Sequence, residues 1–474
     1  MIFNSATFLL FFLLFFSGYW LIPAKWGLRA RNLWILLGSY VFYGWWDWRF
    51  LSLIIISSAT DFLVGQQLAR SSFPRNRKAW VALSLVVNLG LLGFFKYFNF
   101  FVESLVQFMA LFQIALSPSS LEIILPVGIS FYTFQTLSYT LDVYRGKMEA
   151  TRDPLAFFAY VSFFPQLVAG PIERAAHLLP QFQTGKSFSY EQAVSGLRLV
   201  LYGLFKKVVI ADNTGWLADQ IFNYAQPLNG ATVWLGCIFF ALQIYGDFSG
   251  YSDMAIGLSR MLGFNLRPNF QTPYFARSFR TFWQRWHISL STWFRDYLYI
   301  PLGGNRKGPG HTYLNLLITF LISGLWHGAH INFLLWGGLH GLCLILERRF
   351  RLERFKRIYG VLVLLTVILL WLPFRAESWG DLQAYAGALV EWEGYALDQF
   401  AYILRFLPTI RFWVFFGVLL GFLALEFSLQ KADFDQWITP KKQAWRWGLY
   451  YLLVLAMLLV GNFSVNPTFI YFQF

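Results

Sequence analysis

TYLNLLITFLISGLWHGAHINFLLWGGLHGLCLIL, residues 312–346, is the stretch that decides the fold class of this chain. It consists of two apolar arms on either side of Trp326-His327-Gly328-Ala329-His330. Basic residues flank it on both sides: Arg306 and Lys307 before it, and Arg348, Arg349, Arg351, Arg354, Lys356 and Arg357 after it. Since basic loops of membrane proteins stay on the cytoplasmic side, both ends are expected there, and the stretch predicts a helical hairpin.

The turn of this hairpin is expected inside the membrane. Each arm has about 15 residues, or roughly 22–24 Å as helix, whereas the hydrocarbon core is about 30 Å thick. Irregular backbone at that depth is stable only where protein or a water-filled cavity surrounds it, and an ionisable group there indicates a functional site. His327 is therefore the first candidate site residue. The alternative is a buried, hydrogen-bonded histidine with a structural role.

The composition of the whole chain is that of a membrane protein. Of the 474 residues, 57% are hydrophobic and 13% are charged, against about 25% charged residues in soluble domains. Apolar runs recur along the whole length and predict an all-α polytopic membrane protein with about 10–12 transmembrane or re-entrant helices. The sequence shows no internal repeat, so residues 1–474 are expected to form a single integral-membrane domain.

The distribution of charge predicts topology rather than nucleic-acid binding, although the net charge is +14. Residues 260–307 contain eight Lys or Arg and one acidic residue, whereas residues 375–405 contain five acidic and two basic residues. Basic residues also follow the first apolar run and precede the last one. This alternation places the N-terminus and the C-terminal tail, residues 462–474, outside the cytoplasm.

His287 is the second candidate site residue and lies in residues 277–298, RSFRTFWQRWHISLSTWFRDYL. Helical periodicity predicts an aromatic face that carries His287 and an opposite face that carries Arg285. A histidine on such a face is commonly a core residue, and spacing alone does not show whether His287 meets His327. The arginine-rich face is typical of a membrane surface, and binding of a phosphorylated donor is the other interpretation.

Two carboxylates, Asp247 and Asp253, lie at the end of an apolar run. Carboxylates in such a position are costly unless paired, so a structural pairing is the first expectation. Capping of a helix or orientation of a histidine are the alternatives. His327 and His330 would need a third ligand from elsewhere to bind a metal, so no metal site is predicted.

Five stretches resemble one family: LPVGISFYTFQTLSYTLDVYRG (125–146), FFPQLVAGPIER (163–174), GDFSGYSDMAIGLSRMLGF (246–264), FWQRWHISLSTWFRDYLYIPLGGNRKG (282–308) and SGLWHGAHINFLLWGGLHG (323–341). They resemble the membrane-bound O-acyltransferases (MBOAT), and within that family the bacterial AlgI- and PatA-like branch, which O-acetylates alginate or peptidoglycan. The resemblance covers roughly residues 1–345, and its most specific elements are the Trp-His-Ile-Ser and Trp-His-Gly blocks.

The resemblance implies a ring of transmembrane helices around a central catalytic funnel. His327, in Trp-His-Gly, matches the catalytic histidine of the family, and His287 matches the second family histidine. The implied location is the bacterial inner membrane, within the lipid bilayer. The implied donor substrate is acetyl-CoA or another acyl thioester, with no tightly bound cofactor. A periplasmic SGNH-type acetyltransferase or esterase is the implied partner, through which the polysaccharide is reached.

The expected function is therefore O-acetylation of an envelope or secreted polysaccharide with an acetyl group from a cytoplasmic donor. His327 is expected to act as general base, because a histidine pKa of about 6.5 suits proton uptake at neutral pH. His287 is expected to orient the acceptor or the acyl carbonyl. The competing class is a transporter or flippase whose mid-membrane histidine relays protons. A non-catalytic scaffold for envelope enzymes is the third possibility.

The donor entrance is expected on the cytoplasmic side, where positive charge is densest. Arg280 and Arg285 lie in residues 277–298, and Arg306 and Lys307 lie in the glycine-rich loop 303–310. Coenzyme A is anionic, so these four residues are predicted to bind the donor. The alternatives are that they only enforce topology and that the loop, which lacks the order of a P-loop, is a mobile turn.

The C-terminal tail, NFSVNPTFIYFQF, ends in an aromatic cluster around Tyr471. It resembles the F-x-Y-x-x-F ending of DltX, the small partner of the D-alanylating family member, in which the tyrosine relays the acyl group. The resemblance implies that the tail folds back into the outer funnel. Tyr471 would then take the acetyl group with His327 as base and pass it to the partner. Interfacial anchoring by aromatic side chains is the alternative.

Overall fold

Apolar runs become helices at most of the positions where the sequence predicts them. The computed structural model describes residues 1–114, 121, 123–224, 228–395, 410–463 and 469–470, and every regular element within these residues is helical. The all-α prediction is confirmed.

The α-helices, in chain order, are α1 (Ala6–Leu21), α2 (Gly27–Asp47), α3 (Leu51–Arg70), α4 (Pro74–Leu92), α5 (Phe98–Ala110), α6 (Ile129–Tyr144), α7 (Pro154–Ser162), α8 (Phe164–Leu167), α9 (Ala175–Leu178), α10 (Tyr190–Phe205), α11 (Asp212–Asp219), α12 (Gly230–Met261), α13 (Phe279–Trp283), α14 (Ile288–Phe294), α15 (Pro309–His327), α16 (Ile331–Phe350), α17 (Lys356–Leu370), α18 (Leu372–Arg375), α19 (Trp379–Val390), α20 (Ile410–Ser428), α21 (Phe434–Ile438) and α22 (Gln443–Val460). The π-helical segments are Gly93–Tyr97, Lys206–Ala211, Gln220–Tyr224 and Arg295–Tyr299.

Within the described residues, six helical segments are long and apolar enough to cross a membrane. They are Gly27–Arg70, Pro74–Ala110, Gly230–Met261, Ile358–Arg375, Ile410–Ser428 and Gln443–Val460. The first two segments each contain two helices, α2 with α3 and α4 with α5. The chain is therefore a multi-pass membrane protein, as its composition predicts.

The chain divides into two compact units, Met1–Gly196 with Leu258–Arg267, and Leu197–Gly257 with Pro268–Phe474. The first unit is held together partly by a buried carboxylate, Asp61 of α3. It accepts hydrogen bonds from Ser84 and Asn88 of α4, the latter at 2.8 Å, and from Thr140 of α6 at 2.7 Å. Because a buried carboxylate without partners is costly, these bonds favour one arrangement of the three helices. A single membrane domain over residues 1–474 stays a prediction.

The second unit contains the predicted helical hairpin, with α15 and α16 as its arms. The arms are 19 and 20 residues long, longer than predicted, because polar residues extend the apolar part of each. Pro309, a favourable first helical residue, begins α15. His330 caps α16, since its Nδ1 accepts a hydrogen bond from the Asn332 N–H at 3.2 Å. The depth of the turn in the membrane stays a prediction.

Two glycines let the arms of this hairpin approach closely. A Cβ atom on Gly324 would overlap the carbonyl oxygen of Phe333, and one on Gly337 would overlap the carbonyl oxygen of Phe320. Small residues at such positions are typical of tightly packed helix pairs in membranes. The contact holds His327, three residues after Gly324, in a fixed relation to α16.

The prediction of one amphipathic helix over residues 277–298 is wrong. The helix stops at Trp283 and restarts at Ile288, and His287 between them has φ 43° and ψ 54°, in the left-handed region. Asn269 stabilises the break, because its carbonyl oxygen accepts the Ile288 N–H at 2.9 Å and its Oδ1 accepts the Ser289 hydroxyl at 2.8 Å. Asn269, 18 positions before His287, thus stabilises the break, and the periodicity of the sequence does not reveal such a contact.

Pro126 and Gly128 in the apolar stretch 121–144 predict a bent helix there, and this prediction is also wrong. The helix begins only at Ile129, directly after Gly128, whose φ is 79°. A Cβ atom on Gly128 would also lie 2.7 Å from the carbonyl oxygen of Leu167. The left-handed backbone and the close approach both require glycine, so this position starts a helix instead of bending one.

Candidate active site

His327 is buried at the C-terminal end of α15, with 3% of its surface exposed. Its ring lies edge-on to three aromatic rings, with centroid distances of 5.0 Å to Trp326, 5.1 Å to Trp336 and 5.6 Å to Phe374. The extended backbone of Gly328 ends the helix directly after it. The imidazole therefore occupies a fixed position in an aromatic environment.

His287 lies next to His327, although 40 residues separate them in the sequence. The centroids of the two imidazole rings are 6.1 Å apart, and His287 is fully buried. Phe248 of α12 contacts the ring of His287 edge-on at 4.6 Å. The structure thus brings together the two histidines that the sequence singles out.

This arrangement is suited to proton transfer. At a centroid distance of 6.1 Å, one small group between the rings can contact both of them. A neutral imidazole offers one acceptor nitrogen and one N–H donor, so one ring can take a proton while the other donates a hydrogen bond. Aromatic neighbours keep bulk water away, which strengthens such hydrogen bonds.

A third buried histidine, His340 of α16, was missed by the sequence reasoning. Its ring is stacked on Phe282 at 6.2 Å and lies edge-on to Trp283 at 5.1 Å and Trp336 at 4.9 Å. Trp336 therefore contacts both His340 and His327. The spacing of Trp336 and His340, four residues apart on one helix, is the signal that could have revealed this contact.

The predicted donor-binding residues lie on two segments of the second unit. Arg280 is exposed on α13, and Arg285 is partly exposed in the turn that follows it. Arg306 and Lys307 are exposed in the glycine-rich loop before α15. Their exposure leaves these side chains accessible to an anionic ligand.

Glu347 of α16 connects the arginine segment to the hairpin. Its carboxylate accepts the backbone N–H groups of Phe279 at 2.6 Å and Arg280 at 3.1 Å, and the hydroxyl of Tyr359 at 2.9 Å. A buried carboxylate at the start of a helix satisfies backbone donors that lack helical partners. Glu347 therefore fixes the position of α13 relative to α16, a role that the sequence reasoning did not predict.

Asp247 is paired, as expected, and its partner is Lys207. The Asp247 carboxylate lies 2.7 Å from Nζ of Lys207, and the same ammonium group lies 2.8 Å from Asp212. All three side chains are buried. The ion pair joins α12 to the π-helical segment Lys206–Ala211.

Asp253, which is half-buried, belongs to a second ion cluster. Nζ of Lys206 lies 2.9 Å from Asp253 and 3.4 Å from Glu426 of α20. Glu426 also accepts the hydroxyl of Tyr202 at 2.6 Å and that of Tyr245. Neighbouring lysines of one segment thus hold the two carboxylates of α12.

Tyr471 lies outside the described residues, but the two residues before it are described. Phe469 and Ile470 are buried. The ring of Phe469 contacts Tyr251 at 4.9 Å and Phe248 at 6.1 Å. The Ile470 N–H donates to Asp247 at 2.7 Å. These two tail residues therefore dock on the helix that also contacts His287.

Comparison with known proteins identifies relatives of this chain. Residues 150–357 match the sequence profile of the membrane-bound O-acyltransferase family. The chain is 42% identical over 405 residues to the probable alginate O-acetylase AlgI of Pseudomonas putida, across 84% of this chain and 82% of that protein. It is 36% identical over 417 residues to the peptidoglycan O-acetyltransferase of Helicobacter pylori, across 80% of this chain and 77% of that protein.

A more distant relative is the teichoic acid D-alanyltransferase of Bacillus subtilis, 25% identical over 233 residues, across 46% of this chain and 57% of that protein. The names of all three relatives describe acyl transfer. The family profile covers both His287 and His327. The extent and identity of these matches establish that the chain belongs to the membrane-bound O-acyltransferase family and is a multi-pass membrane acyltransferase.

Proposed function

We propose that this protein takes an acetyl group from a cytoplasmic thioester, acetyl-CoA, and delivers it outside the cytoplasm for O-acetylation of an alginate-type polysaccharide or peptidoglycan. The protein would lie in the bacterial inner membrane with both termini in the periplasm. A periplasmic SGNH-type transferase would complete the transfer to the polymer. The similarity to alginate and peptidoglycan O-acetylating proteins supports the acetyl group and the class of acceptor.

The observation that carries the proposal is the buried pair of His327 and His287, 6.1 Å apart. His327 takes the proton of an acceptor hydroxyl as its oxygen attacks the thioester carbonyl. The C–O bond forms, the C–S bond breaks, and the proton passes to the leaving thiolate. His287 donates a hydrogen bond that orients the carbonyl or the acceptor.

The first acceptor in this proposal is the Tyr471 hydroxyl. A phenol with a pKa near 10 loses its proton more readily than a sugar hydroxyl, and its ester is a better acyl donor. Splitting one transfer into two steps is the usual advantage of a covalent intermediate. The burial of Phe469 and Ile470 against α12 supports a tail that folds back towards the histidines.

The donor enters in this proposal beside Arg280, Arg285, Arg306 and Lys307. Arginine and lysine side chains bind phosphate groups by charge-assisted hydrogen bonds, and coenzyme A carries several phosphates. The exposure of these side chains supports the assignment.

The test is acetyl transfer from acetyl-CoA by the purified protein, measured as release of free coenzyme A. His327→Ala should remain folded and lose the activity, because no base then accepts the hydroxyl proton. His311→Ala is the matched control, since His311 lies exposed on the same helix. Near-normal turnover in His327→Ala would overturn the proposal. Transfer absent from the wild-type protein as well would contradict acetyl-CoA as the donor.

A further inference from the structure

Asp247 links helix α12 to the C-terminal tail. One side of its carboxylate faces Nζ of Lys207 at 2.7 Å, and the other side accepts the Ile470 N–H at 2.7 Å. Asp247 is 2% exposed and Ile470 is 1% exposed. The contact is therefore a charge-assisted hydrogen bond away from solvent, and bonds of this type are about twice as strong as neutral ones.

A buried carboxylate requires such partners. Removal of a charge from water costs several kcal/mol in real proteins, and an ion pair offsets this only if the remaining lone pairs are also satisfied. Lys207 supplies the opposite charge at one carboxylate oxygen, and the backbone N–H of the tail supplies a hydrogen bond to the other. The site therefore favours a docked tail over an undocked one.

The beginning of the tail is attached to the same part of the molecule. The Asn462 N–H donates to the carbonyl oxygen of Val208 at 2.9 Å, and Val208 follows Lys207 in the π-helical segment. Such segments are frequent at functional sites because they change the backbone hydrogen bonding of the helix. Asn462 thus contacts the residue after Lys207, and Ile470 contacts the carboxylate that pairs with Lys207.

The register of the tail is also set by aromatic contacts. Phe469 packs between Tyr251 and Phe248 of α12, and Phe248 contacts His287 at 4.6 Å. Asp247 and Phe248 are adjacent in the sequence, so one turn of α12 contacts both the tail and His287. If the tail shifted by one residue, a neighbour of Ile470 would face the Asp247 carboxylate instead.

We propose that Asp247, held by Lys207, is a positioning residue that fixes the register of the C-terminal tail. Its carboxylate accepts the backbone N–H of Ile470, the residue directly before Tyr471. The consequence for acetyl transfer rests on the proposed role of Tyr471, whereas the docking itself does not. Asp247 does not contact the acetyl group; it acts through the tail.

The test is hydrogen–deuterium exchange of the purified full-length protein, without donor, followed in the C-terminal peptide that contains Phe469 and Ile470. In Asp247→Ala, the slowest amides of this peptide should exchange roughly ten- to hundredfold faster, the range expected for loss of a hydrogen bond to a charged group. Asp253→Ala is the matched control, because it removes a carboxylate of the same helix whose ion pair is with Lys206 instead. Its C-terminal peptide should exchange as in the wild type.

Asp247→Asn provides a variant that should fold, since Lys207 keeps Asp212 as its partner at 2.8 Å. The amide oxygen still accepts the Ile470 N–H, but without charge, so a smaller increase in exchange is expected. The rate constant of acetyl transfer should fall while the KM for acetyl-CoA stays unchanged. Wild-type protection of the tail in both Asp247 variants, or equal loss in Asp253→Ala, would overturn the proposal.

The two proposals fail separately. Tyr471→Phe should show wild-type protection of the tail, because docking does not use the phenol. If Tyr471→Phe retains full activity, the relay is wrong but the exchange result still decides the role of Asp247. If Asp247→Ala leaves exchange unchanged, the positioning role is wrong even if the relay holds.

Discussion

At the scale of single residues, the backbone conformation of His287 indicates a functional site, as its buried ring does. Its φ of 43° lies in the left-handed region, which costs a residue other than glycine about 1–2 kcal/mol. Strained conformations persist where surrounding contacts hold them, and they are concentrated at functional sites. The bonds from Asn269 to the residues after His287 supply those contacts. The ring is thereby aimed at His327.

We expect His287→Ala to lower the rate constant of acetyl transfer by about 10²–10⁴-fold, the usual contribution of a proton-transfer or orienting group. The KM for acetyl-CoA should change little, because the role proposed for the imidazole is at the acyl carbonyl or the acceptor. The measurement is steady-state kinetics of purified protein over a range of donor concentrations.

His287→Asn is the companion variant, because asparagine tolerates the left-handed backbone and keeps a hydrogen-bond donor. It should fold as the wild type does and retain more activity than His287→Ala. Wild-type turnover in His287→Ala would show that this histidine only fills the core.

The sequence predicts the two central histidines but not their surroundings. His327 and His287 stand out because each follows a tryptophan in a block that resembles a family motif. The aromatic shell is assembled from distant residues such as Phe374, and the lysine partner of Asp247 comes from another helix. Such contacts depend on tertiary packing, which a single sequence does not encode as spacing.

At the scale of elements, the close contact of α15 and α16 can be tested at two neighbouring glycines. Gly337→Ala should destabilise the protein by about 1–3 kcal/mol, as overpacking commonly does, because its Cβ would overlap the backbone of Phe320. In Gly338→Ala the new Cβ meets only the side chain of Leu321, at 3.3 Å.

The measurement is thermal unfolding of both variants in detergent, followed by tryptophan fluorescence, together with acetyl transfer. Gly337→Ala should lower both the melting temperature and the activity, since the shift reaches His327. Gly338→Ala should stay close to the wild type. Equal melting temperatures would contradict the packing that the two glycines indicate.

Long apolar helices are predictable because one property, sustained hydrophobicity, determines them. The hairpin of α15 and α16 and the spans at α12, α20 and α22 follow directly from it. The break at His287 and the late start of α6 do not, because they depend on Asn269 and on the backbone near Leu167. Apolar periodicity thus locates the scaffold, while local contacts shape the site.

The C-terminal tail carries its own prediction. Tyr471→Phe keeps the aromatic ring and removes only the hydroxyl, so anchoring should persist while acetylation of the polymer falls to background. Mass spectrometry of the wild-type protein incubated with acetyl-CoA should detect an acetyl ester on Tyr471.

Tyr451→Phe is the matched control for this change, because Tyr451 is exposed on α22. It should leave polymer acetylation unchanged. Full polymer acetylation in Tyr471→Phe would end the relay and leave the tail as an anchor.

At the scale of the whole molecule, the proposed reaction requires two chemically different sides. Positive charge is concentrated in residues 260–307 and negative charge in residues 375–405. Because basic loops of membrane proteins remain in the cytoplasm, we expect the first region to face the compartment that contains coenzyme A. A donor on that side and an acceptor tail on the other require access to the histidines from both.

Charge reversal tests this sidedness. Arg280→Glu combined with Arg285→Glu should raise the KM for acetyl-CoA and leave the rate constant nearly unchanged, because the phosphates lose attraction before the chemical step. Arg348→Glu with Arg349→Glu is the matched control: both residues are exposed, belong to the same predicted cytoplasmic side and change the net charge equally. If both double variants insert and express as the wild type does and have the wild-type KM for acetyl-CoA, Arg280 and Arg285 only determine topology. A rise in KM confined to the first pair assigns them to the donor.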